Sequence, residues 1–414
     1  MSLSVAILID DFFPASGGIG RSVQTPVEEL MRLGHEVTLI APDRHLRRPS
    51  NVRTLACPTL FHVKGLPAHL SVLHHTDRRA RIISDQARFD IVHSQTDRGA
   101  LVLAARIARL QGVPHVHTFH TNVAGTHSSL PFAAAGGSRG YELLITRFLA
   151  WGSRRPPRFQ AWLPPKTAEP DNNNLFSRMD WRSLGWIAAH VDAVTSPARY
   201  MLDNIEAAVG QAVGGTVIPN ATGERIVDAT ARRRQQRPGT RFLSIGRLAK
   251  EKRLDVVIRA FLRAEIPGAE LVIIGDGDQR KALERLAGPG VRFLGGISDR
   301  EALAQQYLDA DALVLGSYRF DVQPMVILEA GAAQLPVLYC DDRLQAGLSP
   351  QTALCVRPDV QSLARGMQEL ARPGRVGQLR SGYERVDLQP KPEDMAARYV
   401  GVYERVRRRP EQDG

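Results

Sequence analysis

Two cations and two acids carry the most pointed chemistry in this sequence. In Ser244-Ile245-Gly246-Arg247-Leu248-Ala249-Lys250-Glu251-Lys252 an apolar run ends in Gly-Arg, and another cation stands five residues later where a helical pattern begins. At the carboxyl end of a strand, Arg247 and Lys252 can clamp a diphosphate and stabilise negative charge on a departing one. Unpartnered surface cations are the other reading of the same residues. In Asp321-Val322-Gln323-Pro324-Met325-Val326-Ile327-Leu328-Glu329 one carboxylate sits in a loop and a second follows eight residues on, inside an apolar helical pattern. A carboxylate in such surroundings must be hydrogen-bonded or paired. Ribose hydroxyls are suitable donors to Glu329 and sugar hydroxyls to Asp321; a core arginine is the alternative partner for Glu329. The loop Gly17-Gly18-Ile19-Gly20 lets backbone N–H groups approach a phosphate at a helix start. It has neither G-x-G-x-x-G spacing nor a Walker lysine, so a tight turn without ligand fits it equally well.

The elements that must position these residues are legible as an alternation. Val5–Ile9 is a continuous apolar run, as in a strand covered on both faces. Val23, Val27, Leu30 and Met31 then recur at helical spacing, with Gly34 as the stop. Strand patterns at 36–41, 90–93, 115–120 and 191–196, with a helix at 100–110, continue the series. A second series starts at Arg241: strands at 242–245, 270–274, 291–294, 312–315 and 336–339 alternate with helices at 254–263, 279–286, 300–308 and 325–333. Such alternation predicts an α/β chain with parallel, doubly wound sheets. The expected organisation is an N-terminal domain over 1–221 with a loop-rich insertion at 124–180, a linker at 222–240, a second domain over 241–390, and a terminal helix and tail at 391–414 that packs back on the first domain. Ligands of such sheets bind outside the carboxyl ends of the strands, here in a cleft between the two domains.

Bulk properties bound the function. A chain of 414 residues with 43% apolar and 23% charged residues can build two globular cores. No apolar run approaches the roughly 20 residues of a membrane span, and Val5–Ile9 runs into Asp10 and Asp11 rather than a cleavage site. Cys57, Cys340 and Cys355 form no metal-ligand pattern, which points to the cytoplasm. The net charge of +11 is concentrated in clusters: Arg44, Arg47, Arg48 and Arg53; Arg139, Arg147, Arg154, Arg155 and Arg158; Arg232, Arg233, Arg234, Arg237 and Arg241; Arg405, Arg407, Arg408 and Arg409. Together these favour an acidic partner, either an anionic membrane surface or a sugar nucleotide. Trp151, Phe159, Trp162, Phe176, Trp181 and Trp186, interleaved with arginine, suit either an interface or ordinary packing. The chain has no recognisable nucleic-acid-binding module.

The ordered set of motifs resembles the retaining glycosyltransferase family 4, of GT-B fold. It comprises the Gly-Gly-Ile-Gly loop, Val217-Ile218-Pro219-Asn220, Gly246–Lys252, Gly275-Asp276-Gly277, the acid-x7-acid element and a closing helix ending in Val402-Tyr403. The resemblance implies two Rossmann-like domains and a nucleotide-sugar donor. Arg247 and Lys252 then bind the diphosphate and assist its departure, Glu329 binds the ribose, Asp321 the transferred sugar, and the backbone near Ile297 the base. Gly17 and Gly18 approach the phosphate, and Gln323, Met325 and Val326 line the same nucleotide-sugar site. His120, in His117-Thr118-Phe119-His120-Thr121, matches the family's active-site histidine; by spacing alone it is equally a structural histidine.

The resemblance further implies no cofactor and no metal, and no Asp-x-Asp or histidine cluster stands at a plausible metal site. Front-face transfer of a hexose from a UDP- or GDP-sugar, with retention, is the expected reaction. Where the family has Glu at 321 and Phe-Gly at 323–324, this chain has Asp, Gln and Pro, and Pro324 lacks an N–H. This version, with Thr126-His127, is similar to the branch that glycosylates diacylglycerol. The expected acceptor is therefore a membrane lipid, with the enzyme peripheral on the inner face of the cell membrane. A soluble sugar or natural-product acceptor, and an NDP-sugar epimerase on the same fold, are the alternatives.

Overall fold

The computed structural model describes residues 2–11, 18–43, 51–63, 70–128, 131–145, 147, 166, 173–222 and 239–408. The chain divides into two compact units: residues 1–219 together with 392–414, and residues 220–391. Asn220 to Thr222, expected at the end of the first domain and in the linker, thus fall with the second unit.

The first unit runs β1 (Ser4–Leu8), α1 (Gly18–Arg32), β2 (Glu36–Pro42), β3 (Arg53–Cys57), β4 (Thr59–Val63), β5 (Leu70–Leu73), α2 (Asp77–Gln86), β6 (Ile91–Ser94), α3 (Gly99–Gln111) and β7 (His115–Thr118). It continues with α4 (Val123–Ser128), α5 (Pro131–Leu144), α6 (Leu175–His190), β8 (Ala193–Ser196), α7 (Arg199–Val209) and β9 (Thr216–Val217). The second unit holds β10 (Arg241–Ile245), a 3₁₀ turn (Lys250–Lys252), α8 (Leu254–Ala264), β11 (Glu270–Ile274), α9 (Arg280–Leu286), β12 (Val291–Gly295), α10 (Arg300–Asp309) and β13 (Ala312–Val314). It ends with α11 (Met325–Ala332), β14 (Val337–Tyr339), β15 (Ala353–Cys355), α12 (Val360–Leu370) and α13 (Arg375–Gly382), and α14 (Pro392–Arg407) returns to the first unit.

The first unit's main sheet has the order β3-β2-β1-β6-β7-β8-β9, and the second unit's has β12-β11-β10-β13-β14-β15; β4 and β5 form a separate antiparallel pair. Pairing within both large sheets is parallel throughout. The apolar runs explain why. Along β10 and β11, Phe242, Leu271 and Ile273 join one buried cluster, while Leu243, Val272 and Ile274 join another. α8 and α12 cover the first face with Leu254, Val257, Leu363 and Met367. α10 and α11 cover the second with Leu303, Tyr307, Ile327 and Ala330. A strand buried on both sides needs apolar residues at every position, which is the pattern the sequence shows.

The described residues bear on three of these readings. The 124–180 segment is not loop throughout: 124–128, 131–144 and 175–180 are helical. Asn174 caps α6 by accepting from the Ser177 N–H. Ser138, immediately after a Gly-Gly pair, donates its hydroxyl to Asp180, so tertiary contact overrides the glycines' low helix propensity. Trp181 is fully buried in the core rather than at an interface, and Trp186 stacks on His190. Trp151, Phe159 and Trp162 lie outside the described residues, as does most of the linker. The basic clusters are also largely engaged where described. Arg241 is buried against Glu270 and Asp309, Arg139 pairs with Glu142, Arg407 with Asp90 and Arg408 with Glu404.

A polar seam fastens α14 to its sheet. Tyr403 meets His93 Nδ1 at 2.8 Å, and Thr118 meets His93 Nε2 at 2.7 Å. Ser94 bridges His115 and His117, each at 2.8 Å. Burial pushes all of these imidazoles down, His115 to about 3, so they are neutral in the folded chain. Below the ordinary histidine value the unfolded chain binds protons that the folded one refuses. Stability is therefore full above about pH 6.5 and falls as pH drops toward the folded values, by about 1.4 kcal/mol per pH unit for each such histidine. Urea midpoints measured at about pH 7 and about pH 5 are expected to show a large drop; equal midpoints would contradict the neutral, buried assignment.

Candidate functional site

In the second unit's sheet, successive strands are added outward on one side of β10 and then, from β13, on the other. At such a reversal the loops leaving two neighbouring strands diverge and open a crevice at their carboxyl ends. The loop leaving β10 carries Gly246, Arg247 and Lys252. The loop leaving β13 carries Asp321 and Gln323 and runs into α11. The two sequence elements that looked chemical are thus the two loops of the switch point.

Glycines allow the first loop its path. A side chain at Gly275 would place its Cβ 1.9 Å from the Gly246 carbonyl oxygen, and one at Gly277 would sit 2.3 Å from that of Leu248. Gly246 N–H donates to Ile274 O and Leu248 N–H to Asp276 O, so the Gly-Asp-Gly segment is the floor on which Arg247 stands. Arg253, in the left-handed region at φ 50°, turns the chain from the 3₁₀ turn into α8.

Both cations are engaged by acids. Arg247 Nη2 donates to Glu251, whose side chain is only 3% exposed, while Arg247 Nη1 is buried with no hydrogen-bond partner among the described residues. Lys252 Nζ pairs with Asp321 Oδ1 at 2.6 Å and lies 5.1 Å from the centre of the Phe320 ring. Lys252, which the resemblance assigns to the diphosphate, and Asp321, which it assigns to the sugar, pair with each other.

The second loop is fastened from below. Asp341, fully buried, accepts from the Arg319 N–H at 2.7 Å and from the Arg343 guanidinium. Cys340, its thiol pushed up to about 12 by burial, donates toward the carbonyls of Gly316 and Ser317. Asn220 clasps Gln323: its N–H donates to Gln323 Oε1 at 2.6 Å, which fixes the amide's orientation. Gln323 Nε2 is left buried and without a partner among the described residues. Pro324 then caps α11, where the missing N–H costs nothing because the first helical donors have no intrahelical acceptor. Met325 and Val326 begin that helix, whose N-terminal dipole end favours an anion. Val326 and Ile297 pack against the same buried cluster, and Glu329 is 1% exposed. It accepts from the Tyr307 hydroxyl.

In the first unit, Gly18 opens α1, while Gly17 lies outside the described residues. His120 follows β7, which ends two residues earlier than the sequence pattern suggests. His120 Nε2 sits 2.7 Å from Gln95 Oε1. Since an amide oxygen only accepts, Nε2 carries the proton and Nδ1 the lone pair. Burial lowers this histidine to about 4, so at neutral pH it offers an acceptor, not an acid. Asp10, buried at the end of β1, accepts from the Leu73 and Ala100 N–H groups and the Thr96 hydroxyl; its role is structural.

Sequence reasoning missed Glu251, Tyr307 and Asp341. Glu251 was visible as the residue four after Arg247, the spacing of a helical ion pair. Tyr307 and Asp341 act from distant elements and gave no local signal.

Two family models match the chain. Residues 16–222 match the model described as Glycosyltransferase Family 4, and residues 229–374 match Glycosyl transferases group 1. A GDP-mannose-dependent alpha-mannosyltransferase of Mycolicibacterium smegmatis is 29% identical over 351 residues, 82% of this chain and 80% of that protein. An alpha-monoglucosyldiacylglycerol synthase of Streptococcus pneumoniae is 24% identical over 81% of this chain and 70% of that protein. Among solved structures, sucrose-phosphate synthase from Thermosynechococcus elongatus superposes with a TM-score of 0.68 at 19% identity, covering 98% of this chain and 99% of that one. Anabaena HepE in complex with UDP and glucose gives 0.67 at 15%, covering 97% and 99%.

Proposed function

We propose that this chain, which belongs to glycosyltransferase family 4, transfers a hexose from a UDP- or GDP-sugar to a hydroxyl of a membrane lipid such as diacylglycerol, with retention and without a metal. The observation that carries the donor reading is the switch point. Arg247, whose Nη1 has no partner among the described residues, Lys252, and the N-terminus of α11 supply positive charge and N–H donors on the loops of two adjacent strands. These are the groups that a departing diphosphate needs.

In the proposed step the sugar C1–oxygen bond to the β-phosphate breaks. The acceptor hydroxyl oxygen forms a new bond to C1 on the same face, and its proton passes to the departing phosphate oxygen. The nucleoside diphosphate leaves carrying that proton, so charge and atoms balance without a metal or a protein base. Arg247 and Lys252 stabilise the developing charge, Asp321 and Gln323 hold the sugar, and Glu329 takes the ribose with Ile297 near the base. His120 contacts the sugar through Nδ1, and Gly17 and Gly18 approach the phosphate. The protein's contribution is positioning and electrostatics.

The GDP-mannose-dependent and diacylglycerol-named relatives support a sugar nucleotide and a lipid as the two substrates. No helix among the described residues is long and apolar enough to cross a membrane. This fits a peripheral enzyme on the inner face of the cell membrane. A soluble acceptor is the second reading, favoured by the burial of Trp181 and the pairing of the described arginines. The test offers UDP- and GDP-sugars with diacylglycerol in anionic vesicles, with soluble sugars, and with chelator throughout. The expected result is an α-linked glycolipid, undiminished by chelator. Transfer only to soluble acceptors, with no vesicle binding at low salt, would replace the lipid reading. Interconversion of the free nucleotide sugar alone would replace transfer by epimerisation.

A further inference from the structure

Glu251 has the wrong charge for a site that grips a diphosphate. Its carboxylate lies in the short stretch between the two proposed phosphate-binding cations, is almost wholly buried, and offsets much of the field that Arg247 could exert on an anion. A group that weakens attraction and is still built into the loop must contribute through geometry.

The geometry is specific. The backbone under Arg247 is fixed by the Gly246 and Leu248 hydrogen bonds to Ile274 and Asp276, and the 3₁₀ turn is closed by Lys252 N–H to Ala249 O. The freedom left to Arg247 is that of its own long side chain. Glu251 removes it by accepting from Nη2, while Nη1 stays buried and unpartnered among the described residues. A guanidinium is a planar fork, so pinning one nitrogen sets the direction of the other. A buried donor without an acceptor is costly to maintain, which makes Nη1 the natural place for a ligand oxygen.

We infer that Glu251 is a positioning residue: it holds Arg247 at Nη2 and so presents Nη1 to the donor's diphosphate. The inference rests on the donor reading above. It predicts that Glu251→Ala lowers kcat by about tenfold or more, with a smaller change in KM for the nucleotide sugar. Glu251→Gln, whose amide oxygen still accepts from Nη2, recovers most of that loss. In an Arg247→Ala background, Glu251→Ala has no further effect, because the residue has nothing left to position. A loss that multiplies in the double variant would overturn the inference. So would a Glu251→Gln variant as slow as Glu251→Ala.

A second measurement does not depend on turnover or on the alanine variant folding. Nitrogen NMR of the chain without added nucleotide is expected to show hindered rotation of the Arg247 guanidinium, largely retained in Glu251→Gln. Free rotation already in the parent chain would sink the positioning claim. If no nucleotide sugar is turned over by the parent chain, the donor reading falls, while the rotation measurement still decides whether Glu251 orients Arg247.

Discussion

Arg247→Ala is expected to lower kcat by about 10²- to 10³-fold, the loss typical of removing one donor from a preorganised anion-stabilising site. Nη1 is a buried donor without a partner among the described residues, and the Gly275–Gly277 floor backs the main chain that carries it. Lys252→Ala is expected to cost at least about tenfold in kcat, or about 1.4 kcal/mol on the barrier. Part of that cost comes from Asp321, whose carboxylate loses the Lys252 ion pair and then repels the diphosphate. Steady-state kinetics with saturating donor measure both. Unchanged turnover in either variant would remove that residue from the phosphate clamp.

Asp321→Asn is expected to have opposite effects on nucleotide binding and on turnover. Asp321 pairs with Lys252 at 2.6 Å, so a diphosphate must compete with a carboxylate for that ammonium. Replacing Asp321 with the neutral amide removes the competitor. If the partly exposed pair is worth about 1 kcal/mol, the free nucleoside diphosphate binds about fivefold more tightly. Turnover falls by roughly a hundredfold, because the carboxylate that accepts from the sugar hydroxyls is gone. Calorimetric titration with UDP or GDP, set beside kcat, gives both numbers. Weaker nucleotide binding in Asp321→Asn would show that Asp321 orients Lys252 for the phosphate instead of competing for it.

How much of this was legible in the sequence depended on the range of the interactions. Strands such as β10 and β11 were visible because both of their faces are buried, so every position is apolar and the signal is local. Arg247, Lys252, Asp321 and Glu329 stood out because charge beside an apolar run is itself anomalous. The short edge strands β3 and β15 were not anticipated, nor was the pair β4 and β5; at three to five residues each they lack a long apolar run. Helix α5 was obscured by Gly136 and Gly137, since its stability comes from packing on α6 and not from propensity. The partners of the chemical residues were the least visible. Tyr307 reaches Glu329 across 22 positions of sequence, and Asp341 fastens Arg319 across the same separation. Such contacts become apparent only once the sheet order is known.

The most direct test is a structure of the chain with a bound nucleoside diphosphate. The account predicts the phosphates in the crevice at the carboxyl ends of β10 and β13, within hydrogen-bond distance of Arg247 Nη1 and of a Lys252 ammonium that has released Asp321. A nucleotide bound elsewhere, with Arg247 Nη1 still unpartnered and the Lys252–Asp321 pair intact, would contradict it.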